Sequence, residues 1–229
     1  MKMPAIAAAL LMTVAGANVD AAPLPGFAPV AQSEHFTFYG RNQGEKVDVS
    51  GSEKTLRRIA ALLGQTEVPR SDVFLHETAG DVAAVTGLYA GGVTYPQAGQ
   101  IHTTDDARDH EIVHRVAHLL GDPGSFFQEG LAVALGDKAK WQGQQVDRVA
   151  KRIAGRVSIQ SLIASFKSND PQLGYAVAGS FVNWLIKTHG IDTVVKFFRA
   201  SKGEQTSVVF AQAFGQSLDN AGASWAREI

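Results

Sequence analysis

The period of the apolar positions changes near residue 105 and divides the chain in two. Upstream, His35-Phe36-Thr37-Phe38-Tyr39 alternates as a half-buried strand does. Between Ser52 and Leu63 the residues Leu56, Ile59, Ala60 and Leu63 recur at helical spacing, and Gly64 closes the segment. Val73-Phe74-Leu75-His76 reads as a second strand, with His76 an ordinary strand residue. Gly80 to Gly87 reads as a short helix. Ala90 to Tyr95 and Gln100 to Thr104 read as hairpin arms across the turn Pro96–Gly99.

Downstream the period is helical almost throughout. Ile112, Val116, Leu119 and Leu120 form one apolar face, with Asp105 or Asp106 to cap the start. Gly121 followed by Asp122-Pro123-Gly124 ends that helix and reverses the chain. Ser125 can cap a returning helix that packs Leu131, Ala132 and Leu135 on the first. Lys151 to Ile153 falls in a linking helix, and Ser158 can cap Ile159 to Phe166. Pro171 opens a long helix carrying Tyr175, Phe181, Trp184, Leu185 and Ile186, which ends at Gly190. Ile191 to Ala200, Thr206 to Phe214 and Leu218 to Trp225 follow, and their aromatic residues read as core. The expected class is α+β: a small mixed sheet with a helix over about 30–105, a helical part over 106–229, and the functional site at their junction.

Composition narrows the class of partner. The chain has 229 residues, 45% of them hydrophobic, which is enough for one sizeable core. No internal repeat, low-complexity tract or long linker interrupts it. A net charge of −1, with no basic stripe interleaved with aromatics, speaks against nucleic acid. The absence of cysteine removes disulfides, a thiol nucleophile and thiolate metal ligands. Lys2, the apolar run Ala5 to Val14, and small-residue sites at Ala15-Gly16-Ala17 or Val19-Asp20-Ala21 read as a signal peptide over 1–21. The expected location is therefore periplasmic or secreted, with no membrane span in the mature chain. Residues 22–229 are expected to form a single domain.

The chemistry concentrates in His110-Glu111-Ile112-Val113-His114, an HExxH motif. Two histidines four apart on a helix stand one above the other, so their imidazoles can converge on one metal ion. Glu111 lies beside that face, placed to take a proton from a water activated at the metal. A third ligand is available in Phe126-Phe127-Gln128-Glu129-Gly130-Leu131-Ala132. From His114 to Gly121 a helix climbs about 10 Å, and Glu129 lies about 6 Å into the returning helix. Glu129 thus comes back toward the level of His114, and Gly130 is expected to leave open space beside the metal. A third histidine in the metzincin position is ruled out, because Leu120 stands there. His118 is a surrogate ligand or a half-buried histidine. Arg115 reads as solvated or salt-bridged.

At these residues the chain resembles the gluzincin metallopeptidases, of the compact peptidase MA-like kind. The resemblance rests on His110 to His114 and on Phe126 to Ala132. It extends more loosely to Tyr175-Ala176-Val177-Ala178-Gly179-Ser180-Phe181-Val182 and Phe210-Ala211-Gln212-Ala213-Phe214-Gly215, about three quarters of the chain in all. It implies a zinc-dependent hydrolase with His110, His114 and Glu129 on Zn2+ and Glu111 as catalytic base. It also places a tyrosine on a later helix near the metal, which makes Tyr175 the candidate oxyanion donor. The 14 residues between His114 and Glu129 are fewer than in the large peptidases of that class. Four residues after Glu129, where some gluzincins carry a carboxylate that orients a histidine, stands Val133. Asp137, Asp109 or a backbone carbonyl is left for that part.

Three protein ligands leave zinc a position for water, and zinc both acidifies that water and polarises a substrate carbonyl. The activity expected is peptide hydrolysis on a peptide or protein substrate. The alternative is a zincin fold kept for binding a peptide or protein partner without catalysis. The hairpin just before the metal helix can offer an edge strand to an extended peptide, with Gly91 and Gly92 allowing close backbone approach. His102 reads as structural.

Overall fold

The computed structural model describes residues 24–44, 46–166, 171–202 and 206–229, so the leader expected over 1–21 lies outside the described residues. Its first half is a five-stranded sheet made of β1 (Ala28–Gln32), β2 (Phe36–Gly40), β3 (Ser71–Leu75), β4 (Gly92–Tyr95) and β5 (Gln100–Thr103). The spatial order is β1-β2-β3-β5-β4. β2, β3 and β5 run parallel, while β1 and β4 are antiparallel edges. Helix α1 (Val49–Leu62) crosses between β2 and β3, and α2 (Ala79–Thr86) leads into β4. Both parallel connections therefore carry a helix, as parallel pairing requires.

The two faces of this sheet differ. Phe36, Phe38, Val73, Leu75 and Ile101 are buried with Leu56 and Ile59 of α1 and with the helical half. The opposite face carries Tyr39, Phe74 and His102 in register on adjacent strands. Their rings stack at 5.0 and 4.8 Å between centroids, and Phe27 meets Phe74 edge-on.

The helical half comprises α3 (Arg108–Ala117), α4 (Ser125–Leu135), α5 (Val146–Ala150), α6 (Ile159–Ala164), α7 (Pro171–His189), α8 (Ile191–Ala200), α9 (Thr206–Phe214) and α10 (Leu218–Glu228). A small hairpin, β6 (Lys140–Trp141) with β7 (Gln144–Gln145), interrupts it after α4. α3 lies between the two halves. Ile112, Val113 and Val116 are buried there, and the same core takes in Phe127, Phe181, Phe197 and Phe210. α4 and α7 pack closely because glycines face the contact. A Cβ on Gly130 would stand 2.6 Å from the Ala178 carbonyl oxygen, and one on Gly179 would stand 2.4 Å from Val133 Cγ1.

The α+β division and the junction at α3 agree with the sequence pattern, and several local expectations need correction. β1 is an additional strand. α1 starts at Val49, capped by the Asp48 carboxylate, which accepts from the Gly51 N–H. Neither Asp105 nor Asp106 caps α3. A 3-10 turn at Asp105–Ala107 leads into it, and Asp105 pairs with Arg108 instead. Gly124, at φ 96°, is the cap of α4 in place of Ser125, and Asp122 accepts its N–H. The linking helix α5 ends at Ala150, ahead of the expected Lys151 to Ile153. Gly130 opens no space beside the metal-binding motif, because it is the point where α4 meets α7.

Candidate metal centre

α3 brings its motif inward as a set. His110 and Glu111 are buried, and Ile112 and Val113 on the same turn anchor the helix in the core. The ring nitrogens of His110 and His114 converge as the four-residue spacing requires. His110 Nε2, His114 Nε2 and Glu129 Oε2 form a triangle whose three edges are all 3.1 Å. Tetrahedral zinc with ligands at about 2.0–2.1 Å spaces its donor atoms about 3.3 Å apart, so the triangle fits such an ion. His110 Nδ1 lies 2.7 Å from Asp137 Oδ2, just past the end of α4, and donates to that carboxylate. In a neutral ring, that bond leaves the His110 Nε2 lone pair facing the triangle. Of the orienting groups open in the sequence, Asp137 is the one in place.

The histidines and Glu129 of the triangle shift one another's titration. Burial pulls His110 down, but hydrogen bonds to Asp137 and Glu129 and the nearby Glu111 charge outweigh it and push its pKa up to about 10. Burial pushes Glu129 up, yet His114 and His110 overcome that and hold it well below the usual carboxylate range. A buried site that draws a proton this strongly onto imidazole is also one that favours a metal cation between the same atoms.

Glu111 belongs to the other side of α3. Its Oε2 accepts from the Thr94 hydroxyl at 2.7 Å, and its backbone carbonyl accepts from the same hydroxyl at 3.2 Å. A Cβ on Gly92 would stand 2.4 Å from Glu111 Cγ and 2.6 Å from its Oε1. The glycine expected to admit a substrate backbone thus admits the Glu111 side chain. Burial raises the Glu111 pKa against the pull of His114 and His110. The ligand atoms of His110, Glu111 and His114 all lie within 4.8 Å of one another.

β4 forms the rim on this side. The Gly91 carbonyl accepts from the Thr104 N–H at 2.8 Å. Antiparallel alternation then turns the N–H and C=O groups of Gly92 and Thr94 away from β5. Among the described residues no strand pairs with that outer edge.

Tyr175, on α7, reaches the centre from the helical side. Burial together with the Glu129 and Glu111 charges pushes the pKa of its hydroxyl up, which keeps it a donor. Its ring stacks on Trp141 of β6 at 4.6 Å between centroids, with Phe166 at 5.7 Å and His110 at 6.3 Å.

The remaining candidates separate from the centre. A ring nitrogen of His118 lies 3.3 Å from the Gln97 side-chain nitrogen, outside the triangle. Arg115 is neither solvated nor ion-paired as expected. It is buried, and its Nε donates to the Ser71 hydroxyl at 2.8 Å. His102 is on the far face of the sheet, its Nδ1 3.2 Å from His76 Nε2. Sequence reasoning missed Thr94 and Trp141. Thr94 sits opposite Ile101 in the hairpin register, on the face turned to α3, so strand alternation alone could have found it. The local signal for the strand of Trp141 is Gly143 in the turn that follows, which is weak beside strands only two residues long.

Comparison with known proteins adds little. No protein-family model matches the chain, and no curated protein matches it. Among solved structures it is similar to the M1 zinc metallopeptidase from Deinococcus radiodurans, at 15% identity and a TM-score of 0.40. The match covers 87% of this chain and 50% of the other, so the chain spans half the length of that protein.

Proposed function

We propose that this chain is an exported zinc-dependent peptidase of the gluzincin type, with His110, His114 and Glu129 as metal ligands and Glu111 as general base. The observation that carries the reading is the 3.1 Å triangle of two imidazole nitrogens and one carboxylate oxygen, with the buried carboxylate of Glu111 beside it. Zinc bound there supplies a Lewis acid and an acidified water. The chain's own residues do the rest. Asp137 fixes the His110 tautomer so that Nε2 faces the triangle. Thr94 and Gly92 hold the Glu111 carboxylate beside it. Glu111 takes the proton of the attacking water and passes it to the leaving amine. The outward groups of Gly92 and Thr94 bind an extended peptide by strand addition, which aligns its scissile bond with the centre. Tyr175, kept protonated, donates its hydroxyl to the carbonyl oxygen of the substrate as charge develops there. Among the described residues no helix is long and apolar enough to cross a membrane, and the proposed leader at 1–21 directs the chain out of the cytoplasm.

The test is digestion of a diverse peptide mixture by the zinc-loaded mature protein beside its Glu111→Gln variant, read by mass spectrometry. Cleavages by wild type alone establish the peptidase, and their positions give its mode and side-chain preference. The variant should lose activity by about 10²–10⁴-fold or more while keeping its metal. Identical digests contradict the proposal and favour a binding role for the cleft.

A further inference from the structure

Large apolar side chains stand out into solvent where the chain enters the edge strand. Val85, Leu88 and Tyr89 are 36%, 41% and 83% exposed, on the last turn of α2 and in the loop that leads to β4. That loop is held at both ends. Gly87, at φ 77°, caps α2, and its N–H donates to the Ala83 carbonyl at 2.8 Å. The Leu88 N–H donates to the Thr86 hydroxyl at 3.1 Å, and that hydroxyl donates to the Val82 carbonyl at 2.8 Å. At the other end the Gly91 carbonyl accepts from the N–H and the hydroxyl of Thr104, at 2.8 and 3.1 Å. These bonds fix the backbone without calling on the side chain of Leu88 or Tyr89. One exposed leucine is ordinary on a protein surface. A leucine and a tyrosine exposed side by side, on a fixed loop that runs into an open strand edge, mark a contact surface.

The loop leads directly to the candidate centre. A Cβ on Gly91 would stand 3.3 Å from the Ala107 Cβ, just ahead of α3, and the next residue, Gly92, borders Glu111. Tyr89 precedes Gly92 by three residues, so their Cα atoms lie at most about 11 Å apart. We propose that Leu88 and Tyr89 form an apolar subsite for the substrate. The chain then selects extended peptides with a large apolar side chain about three residues C-terminal to the bond that is cut. The direction follows from strand geometry. A peptide that adds antiparallel to the outer edge of β4 runs from Tyr95 toward Gly92 and on past Tyr89. Its scissile bond lies abreast of Glu111, beside Gly92 and Thr94, so its C-terminal side meets the loop. An aromatic ring and a branched aliphatic side chain cover a Phe, Trp or Leu of the peptide and gain little from a polar residue there. This inference rests on the proposed binding of a peptide along β4 and specifies which peptide.

The experiment compares zinc-loaded wild type with Tyr89→Ser, Leu88→Ser, Tyr89→Phe and Val208→Ser on a diverse peptide mixture, then on peptide pairs that carry Phe or Ser at the selected position. Val208, 51% exposed on α9, controls for loss of an exposed apolar side chain elsewhere. Wild-type cleavages should be enriched in large apolar residues two to four positions after the cut bond, on the roughly 3.4 Å spacing of strand residues. Tyr89→Ser should cut the Phe-over-Ser ratio of kcat/KM about tenfold, mainly through KM, while Tyr89→Phe and Val208→Ser keep it. A structural role alone would lower kcat/KM on both peptides alike, and that result overturns the proposal. Cleavage without the enrichment, or enrichment that survives both serine variants, overturns the subsite and leaves the peptidase reading standing. If wild type cuts nothing, the peptidase reading fails and anisotropy decides the subsite, with two pools of fluorescent decapeptides, one apolar-bearing and one with those residues replaced by Ser. Tighter binding of the apolar pool that is lost in Tyr89→Ser upholds the surface; equal binding of the two pools overturns it.

Discussion

The two flanks of α3 hold the centre by different means. On the sheet side, one hydroxyl and one missing Cβ hold Glu111: Thr94 bonds the carboxylate and Gly92 makes room for it. On the helical side, the carboxylates of Glu129 and Asp137 bond the two histidines, and the stacked rings of Tyr175 and Trp141 pack beside His110. The sheet side is sparse and bordered by the edge strand β4, which no strand pairs on its outer side among the described residues. The helical side is dense, built on the glycine-mediated contact of α4 with α7. On the proposed reading, the division supports proton transfer and metal binding separately, although His110 and Glu111 are adjacent in the chain. Damage on one flank should spare the other function.

The largest expected effect comes from adding one methyl group on the sheet side. Gly92→Ala places a Cβ where Glu111 Cγ and Oε1 lie, and the flexible carboxylate has to move. A displacement of about 1 Å at a reacting group costs about 10²-fold, so kcat should fall by that order. Zinc affinity should stay within a factor of about two or three of wild type. Joint loss of kcat and zinc would break the division between the flanks.

Asp137→Asn is the mirror experiment on the helical side. It removes the carboxylate from His110 Nδ1, and chelator competition should read a 10–100-fold loss of zinc affinity. At saturating zinc, most of the activity should return. Activity that stays low with the site filled would place Asp137 in the chemistry.

Thr94→Val sharpens the comparison with a smaller change. It deletes the hydroxyl on Glu111 and keeps the β-branched shape that suits the strand. A hydrogen bond to a charged group contributes about 1.5–3 kcal/mol, of which part should appear as roughly a tenfold fall in kcat. The pH–rate profile should move as well, because the bond from Thr94 favours the ionised carboxylate. Its removal should shift the acidic limb to higher pH.

On catalysis the smallest effect belongs to His102, on the far face of the sheet. Burial, with His76 beside it, lowers its pKa to about 4, below an ordinary value near 6.5. The unfolded chain therefore binds a proton between about pH 6.5 and 4 that the folded chain refuses. The stability linked to His102 is complete above pH 6.5 and is lost as the pH falls toward 4. His102→Gln should flatten the fall in melting temperature across that window and leave kcat unchanged at neutral pH.

The legibility of the two flanks in the sequence was as unequal as their construction. α3 and α4 were readable because motif, apolar face and reversing turn all agree on one antiparallel pair. Helix rise brings Glu129 back toward the level of His114, and its Oε2 lies 3.1 Å from His114 Nε2. The β4–β5 hairpin was readable from its turn, although the partner of Gly92 was not: the glycine faces a side chain of α3, a contact no local pattern encodes. The hairpin β6–β7 went unread although Gly143, φ 76°, marks its turn, because its strands are two residues long and the segment before it uses left-handed Lys138 and Ala139 in place of glycine. Arg115 misled for a related reason. A charged residue on a helix is normally solvated, and only the tertiary position of Ser71 supplies it with a buried partner.

The most direct test of the central claim is anomalous diffraction at the zinc edge from crystals of the zinc-loaded protein. The account predicts one strong peak about 2.0–2.1 Å from His110 Nε2, His114 Nε2 and a Glu129 oxygen, with Glu111 beyond ligand distance. A peak coordinated by Glu111 in place of Glu129, or no peak at the triangle under saturating zinc, would contradict it.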